Sequence, residues 1–423
     1  MLLTGAGVRT LSVNRWLCSL VLCGLALSLS GCPAKVEGPG PAPSVTPETT
    51  EPAVEADDAA AVTALEEAGV KLTKNAAGNV TAADCRTATV DDDVVKNFAG
   101  LHSLTSLSLE NGQITDEGLA VLKDLPQLTS LNLRRCTNVT VAGLVHLEHL
   151  TNLQRLYLLY TRTTDAGLAP VAKLPQLRVL DLRGCNEITD KGIETIAPLV
   201  NLADLKLRSY LVTDKAMVQI GKFTKLRVLS MEDCGIGNEG MQHLSGLTEM
   251  RSLNVMRTLV GDKGLEACAG MTKLEELNLR EAAIRGSGLD SVGAKESLKS
   301  LDLGEMLIDN DGVSHVSQFK NLESLSLWNG SLDDEGLTHL AALTKLKELN
   351  LEGCGAITAE GLKIVAALPI EDLNLKGTQV DNSALEVLTA CSTLKNINVG
   401  NTNVFGSGID DFKAKLPQCT VKE

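Results

Sequence analysis

A single pattern recurs from residue 80 onward, and its period decides what the chain can fold into. The hexads LTSLSL at 104, LTSLNL at 128, LQRLYL at 153, LRVLDL at 177, LADLKL at 202, LRVLSM at 226 and MRSLNV at 250 are followed by LEELNL at 274. LKSLDL at 298, LESLSL at 322, LKELNL at 346, IEDLNL at 370 and LKNINV at 394 complete the series. The step is 24 residues, with two steps of 25, and a degenerate copy, VTAADC at 80, brings the count to fourteen units. Between hexads a second segment returns: TDEGLAVLKDL at 115, TDAGLAPVAKL at 164, TDKGIETIAPL at 189, DDEGLTHLAAL at 333 and TAEGLKIVAAL at 358.

Each unit therefore predicts one strand and one short helix. Apolar residues three and five places after the first leucine share one side of a strand, and those at 15, 18 and 21 share one face of a helix. Thr or Asp before the helix can cap its free N–H groups, and the acids behind it suit the positive end of the helix dipole. One unit cannot bury its own apolar face, so neighbours must stack and the core must run the length of the array. Composition agrees with such a core, because 44% of residues are hydrophobic but only 2% are aromatic. Packing must be aliphatic.

The L-x-x-L-x-L half followed by T-D-x-G-L-x-x-L-x-x-L resembles the leucine-rich repeat family over residues 80–417. The resemblance implies an α/β solenoid, a curved horseshoe with a parallel sheet on the concave face and short helices on the convex face. Residues 61–79 are expected as an N-terminal cap, a helix and then a hairpin turn at Ala77-Gly78-Asn79, and 418–423 as a C-terminal tail.

The first residues have a different character. Arg9 and Arg15 are the only charges before Cys32, and Trp16 to Ser30 is an apolar run of export-signal length, too short to span a bilayer. The run ends in Leu29-Ser30-Gly31-Cys32, which resembles the lipobox of bacterial lipoproteins; the resemblance implies a signal peptide over 1–31 and an acylated Cys32. Residues 32–60 are rich in Pro and acids and read as a disordered tether. Lipobox, spacer and repeat type together look like the leucine-rich repeat lipoproteins of planctomycete-like bacteria. The repeats are also similar to those of eukaryotic F-box adaptors, although no F-box-like segment precedes them here.

Charge and motifs narrow the function. A balance of 39 Lys and Arg against 53 Asp and Glu argues against a nucleic-acid partner, which requires concentrated positive charge. No G-x-S-x-G, phosphate loop or catalytic Cys/His pairing occurs, so no enzyme and no cofactor is expected. The DNDG turn at 309 has Lys320 where a calcium loop needs a bidentate Glu, and no metal site is expected. Cys136, Cys185, Cys234 and Cys354 share one inward position at least two units apart, about 10 Å at ordinary strand spacing, beyond disulfide reach. Buried thiols are the expectation, with Cys391 and Cys419 the one pair left open for a bridge.

Strand residues two, four and six places after the first leucine alternate outward and form three columns. Between 128 and 210 these columns and their margins hold Arg134, Arg135, Arg155, Tyr157, Tyr160, Arg183, Lys206 and Arg208, with Trp328 a separate anchor. Tyr and Arg combine contact area with directed hydrogen bonds and are enriched at interaction hot spots. The expectation is a lipid-anchored, non-catalytic envelope scaffold that binds a protein, or a glycan, on this face. The other readings are an envelope or adhesion component acting by self-association and, remotely, a substrate adaptor.

Overall fold

The computed structural model describes residues 55–423 apart from Leu307. The expected signal peptide, Cys32 and the tether through residue 54 lie outside the described residues. The rest is one open sheet of sixteen strands in sequence order, with helical turns after every strand but the first and the last. The first strand, Lys71–Lys74, runs antiparallel to Val80–Asp84, and every later pairing is parallel with the central leucines in register, as in Leu277 beside Leu253 and Leu301. One core of buried residues extends without a break from Leu65 to Cys419. Phe98, Phe223, Phe319 and Phe412 are fully buried within it.

Both ends differ from the boundaries read in the sequence. The helix Ala59–Glu67 begins inside the segment read as tether, with Asp58 capping it through the Ala60 N–H at 2.8 Å. Asp57 is already docked: its carboxylate accepts from the Val80 N–H at 2.5 Å and the His102 N–H at 3.0 Å. The chain is therefore tied down before residue 60, because backbone donors at the open end of the array need acceptors. At the other end, Thr420–Lys422 is a strand paired with Asn396–Asn398, not a tail; it covers an edge that would otherwise present unpaired backbone groups.

The T-D-x-G pattern has a sharper role than helix capping alone. Thr189 does cap its helix, accepting from the Lys191 N–H at 3.2 Å. The Asp that follows such a Thr reaches into the next unit instead. Asp165 accepts from the Thr189 N–H at 2.8 Å and its hydroxyl at 2.6 Å, and Asp116 and Asp334 hold Thr140 and Thr358 in the same way. The glycine leaves room for this bridge: a Cβ at Gly192 would lie inside van der Waals contact of Asp165 Oδ1, and Gly143 and Gly361 stand likewise against Asp116 and Asp334. The motif is a ladder of carboxylates that locks successive units.

Strand ends are also built from side chains. Asn278, Asn350 and Asn374 each accept from the backbone N–H two residues on, which ends the strand and fixes the amide. The residue seven after the first leucine then adopts a left-handed conformation in nearly every unit, including Asn111, Arg135, Tyr160, Asp233, Arg257, Glu281, Glu305 and Gly353. This reverses the chain so that the next residue, Cys136 or Cys354 for example, enters the core, where its thiol donates to the Leu109 or Leu327 carbonyl.

Candidate functional site

The sheet leaves one face open, and the strands that carry Arg183, Lys206 and Arg208 are longer than most. Most strands span three residues, but Val80–Asp84 near the start and Val179–Arg183, Asp204–Arg208 and Val228–Glu232 in the middle span five. Register places Arg155 beside Val179 and then Asp204, Tyr157 beside Asp181 and then Lys206, and Arg183 beside Arg208. The open face here consists of three short rows about 4.8 Å apart from strand to strand.

Most of the expected cations are held by carboxylates of the protein itself. Arg134 pairs with Glu110 at 3.2 Å, Lys206 with Asp204 at 3.5 Å and Arg208 with Asp233 at 2.6 Å. Arg183 takes Asp181 through two bonds, Nε to Oδ1 at 3.1 Å and Nη2 to Oδ2 at 2.8 Å, which raises the guanidinium pKa. Arg135 is turned to the rim and stacks over the Tyr160 ring at 5.7 Å. Arg155 forms no ion pair among the described residues and is exposed at the start of its strand. Tyr157 is half-buried between these rows, and burial pushes its phenol pKa up.

Two groups in this patch are incompletely satisfied. Asp204 Oδ1 and Arg134 Nε are buried without a hydrogen-bond partner, and burial raises the Asp204 carboxyl pKa despite the attraction of Lys206. A buried unpaired acceptor costs about 1 to 3 kcal/mol. An incoming donor would relieve that cost, so the patch offers an acceptor at Asp204, a cation at Arg155 and an aromatic platform at Tyr157.

Tyr160 sits beside this arrangement, 40% exposed, with its ring laid over Gly184. A Cβ at Gly184 would enter that ring, and Gly184 also has φ +77°, so only glycine fits. The structure therefore brings Arg155, Tyr157, Arg183, Lys206 and Arg208 onto one stretch of face, with Arg134 at its edge and Arg135 and Tyr160 at its rim. It does not bring Trp328 to them. That ring lies five strands further on, covered by Arg280 at 4.3 Å. The carboxylates Glu110, Asp181, Asp204 and Asp233 are functional neighbours that the sequence reading left out. The available signal was their position: each is outward, or one place beyond, and stands either two places before its cation on the same strand (Asp181, Asp204) or in the adjoining unit (Glu110, Asp233).

The cysteines show no reactive thiol. All eight described cysteines are buried and unpaired, including Cys391 and Cys419. Burial pushes the Cys85, Cys136, Cys234 and Cys268 pKa values up to about 12. Among the described residues, no group of three or more His, Cys, Asp and Glu side chains is placed to hold a metal ion. Asp309, in the DNDG turn, caps a helix by accepting from the Gly312 N–H at 3.1 Å.

A family model described as Leucine Rich repeat matches residues 100–123, 173–197, 224–245 and 342–366. Solved structures agree on the fold. An internalin (inlF) from Listeria monocytogenes is 20% identical, covering 87% of this chain and 95% of its own, with a TM-score of 0.53. A leucine-rich repeat protein of Leptospira interrogans is 18% identical over 79% of this chain and 88% of its own, also at 0.53. The leucine-rich repeat ectodomain of the Arabidopsis receptor kinase HAESA, solved with an N-terminally extended IDA peptide hormone, is 18% identical over 83% of this chain and 59% of its own, at 0.56. At these identities the likeness is one of fold: an α/β leucine-rich repeat solenoid. No curated protein sequence matches the chain.

Proposed function

We propose that the chain is a non-catalytic binding scaffold of the bacterial cell envelope, held to a membrane by lipid on Cys32, that takes a polypeptide partner on the open face of its sheet. The observation that carries the reading is the patch around Tyr157, where a half-buried ring adjoins Arg155 and lies two strands from the unsatisfied Asp204. A polypeptide presents both the donors and the acceptors that this patch lacks. The HAESA ectodomain, with its peptide hormone ligand, is a precedent for a polypeptide on such a solenoid. Rigid stacked units suit recognition because little entropy is lost in ordering the site.

The test is capture from an envelope extract of the source cell, comparing the wild-type protein with a variant carrying Tyr157→Ala, Tyr160→Ala and Arg183→Ala. Loss of a specific captured protein from the variant supports the site; equal capture by both removes it. Anchoring is tested separately. Cys32→Ser should release the protein from the membrane fraction, since each buried methylene of an acyl chain contributes about 0.8 kcal/mol. Retention of the variant would refute the lipid.

A further inference from the structure

The residue one place after the first leucine of each unit forms a column along the strand starts, joined through the backbone. The Ala203 N–H donates to the Arg178 carbonyl at 2.8 Å and the Arg227 N–H to the Ala203 carbonyl at 2.8 Å, and the Arg251, Glu275 and Lys299 N–H groups continue the series. From Arg251 to Lys395 the column alternates cation and glutamate without exception. Each glutamate there stands between two cations, and Glu275 bonds both of its neighbours, Arg251 at 2.5 Å and Lys299 at 2.9 Å. Glu323 and Glu371 hold Lys347 and Lys395.

One rung of this column is missing. Arg178 and Arg227 stand on either side of Ala203, where the alternation would place a glutamate. They are two strand spacings apart, about 10 Å, the separation that Glu275 spans between Arg251 and Lys299. Both are exposed, and neither forms an ion pair or a side-chain hydrogen bond among the described residues. The small side chain of Ala203 leaves an open depression of about 300 Å³ between them, with Lys225 at its margin donating to Asn201 Oδ1 at 2.6 Å. The carboxylates beside the depression are engaged elsewhere: Glu249 takes Lys273 at 2.6 Å, and Asp204 faces Lys206 at 3.5 Å.

We propose that this depression receives an acidic side chain of the polypeptide that docks on the neighbouring open face, its carboxylate taking the place of the missing glutamate between Arg178 and Arg227. The inference rests on the polypeptide reading above and names the chemistry that the partner must present. Its precedent lies within the molecule, since Glu275 already joins two cations of the same column. A guanidinium fork matches a planar carboxylate, which it can hold through two parallel bonds. The depression is also continuous with the Tyr157 patch. Arg178 precedes Val179, which stands in register with Arg155, and Ala203 precedes Asp204. A partner seated over Arg155 is therefore within reach of Arg178, about one strand spacing away.

The test uses the full-length protein, immobilised, and three sets of short synthetic peptides of random sequence that share one fixed residue: glutamate, glutamine or phosphoserine. The wild-type protein should bind the glutamate set about fivefold more tightly than the glutamine set, as two exposed ion pairs allow. Arg178→Ala combined with Arg227→Ala should erase that preference, and so should Ala203→Glu, which supplies the rung from within. Tyr157→Ala should weaken binding of all sets alike. A second measurement needs no ligand: Ala203→Glu should have a higher urea midpoint than Ala203→Gln, and should lose that gain when both arginines are alanine. Binding that depends on Tyr157 but shows no glutamate preference overturns the inference and leaves the polypeptide reading intact. A glutamate preference that ignores Tyr157 leaves the carboxylate site standing and removes that reading. Tighter binding of the phosphoserine set would assign the depression to phosphate, and no gain of Ala203→Glu over Ala203→Gln would show that a carboxylate does not bridge here; either result overturns the inference. Failure of every set to bind removes the polypeptide reading and the inference with it.

Discussion

Asp165, Thr189 and Gly192 show how much of the fold rests on three residue types at fixed spacing. Asp165→Ala removes two hydrogen bonds to a charged group and leaves the Thr189 N–H without its acceptor, for an expected loss of about 2 to 4 kcal/mol in urea unfolding. Gly192→Ala, ordinarily favourable in a helix, should cost about 1 to 3 kcal/mol because its Cβ displaces the same carboxylate. Gly246→Ala is the control: nothing lies within 4 Å of its Cβ, so it should be neutral or stabilise by up to about 1 kcal/mol. Equal effects at Gly192 and Gly246 would refute the ladder. The pattern T-D-x-G was visible in the sequence, and so was the capping by Thr. The reach of Asp into the next unit was not, because it depends on how far one unit is offset from its neighbour, which periodicity alone leaves open. At the same scale, the buried thiols should stay unlabelled by a thiol reagent at pH 8 in the folded protein and react on unfolding, read peptide by peptide; native labelling of Cys136 or Cys234 would contradict their burial.

Strands and loops carry the electrostatics. Along the strand starts, Glu275 bridges Arg251 at 2.5 Å and Lys299 at 2.9 Å, and Glu323 holds Lys347 at 2.7 Å. Along the strand ends, Asp233 sits between Arg208 and Arg257. Hydrogen bonds from Arg257 and then Arg208 hold the Asp233 carboxyl below its ordinary range, Lys299 does the same to Glu275, and Arg280 to Glu305. A lowered folded pKa means that the unfolded chain binds more protons, so this stability is complete above the ordinary carboxylate range near pH 4 and is lost as pH falls through the folded values. The denaturation midpoint should therefore fall between pH 5 and pH 2.5, and Asp233→Asn should flatten that dependence by under about 1 kcal/mol, as befits half-exposed pairs. A variant that keeps the full wild-type slope would remove Asp233 from the network. Asp204 works in the opposite sense. Its raised pKa, set first by burial, costs stability as pH rises through the carboxylate range.

The solenoid follows from the 24-residue step and was readable from the sequence before any geometry: a strand and a helical turn per unit and a continuous aliphatic core, with the parallel sheet implied by the resemblance to leucine-rich repeats. The ends were less readable. Asp57 and the strand Thr420–Lys422 carry no repeat motif, and their places are set by the unpaired groups that the terminal units present. The candidate site was legible as a column of Arg and Tyr residues, but not its neutralisation: Asp181 and Asp204 reach Arg183 and Lys206 two places along the same strand, and Glu110 and Asp233 reach Arg134 and Arg208 from the neighbouring unit. What remains distinctive after that neutralisation is narrow: Arg155, Tyr157 and Asp204, with Tyr160 at the rim. Stacked units also make the cap consequential. Removing residues 55–79 would expose the Val80 and Phe98 end of the core, and amide exchange should then quicken in the first units while leaving those beyond Leu298 unchanged. Uniform acceleration along the chain would show instead that the array unfolds only as a whole.

The central claim, that a polypeptide docks on the open face around Tyr157, is tested most directly by hydroxyl-radical footprinting of the protein with and without the partner it captures. Tyr157 and Tyr160 should lose reactivity in the complex while Phe405, 69% exposed at the far end of the array, keeps its own. Unchanged labelling of Tyr157 and Tyr160, with protection confined to other surfaces, would contradict it.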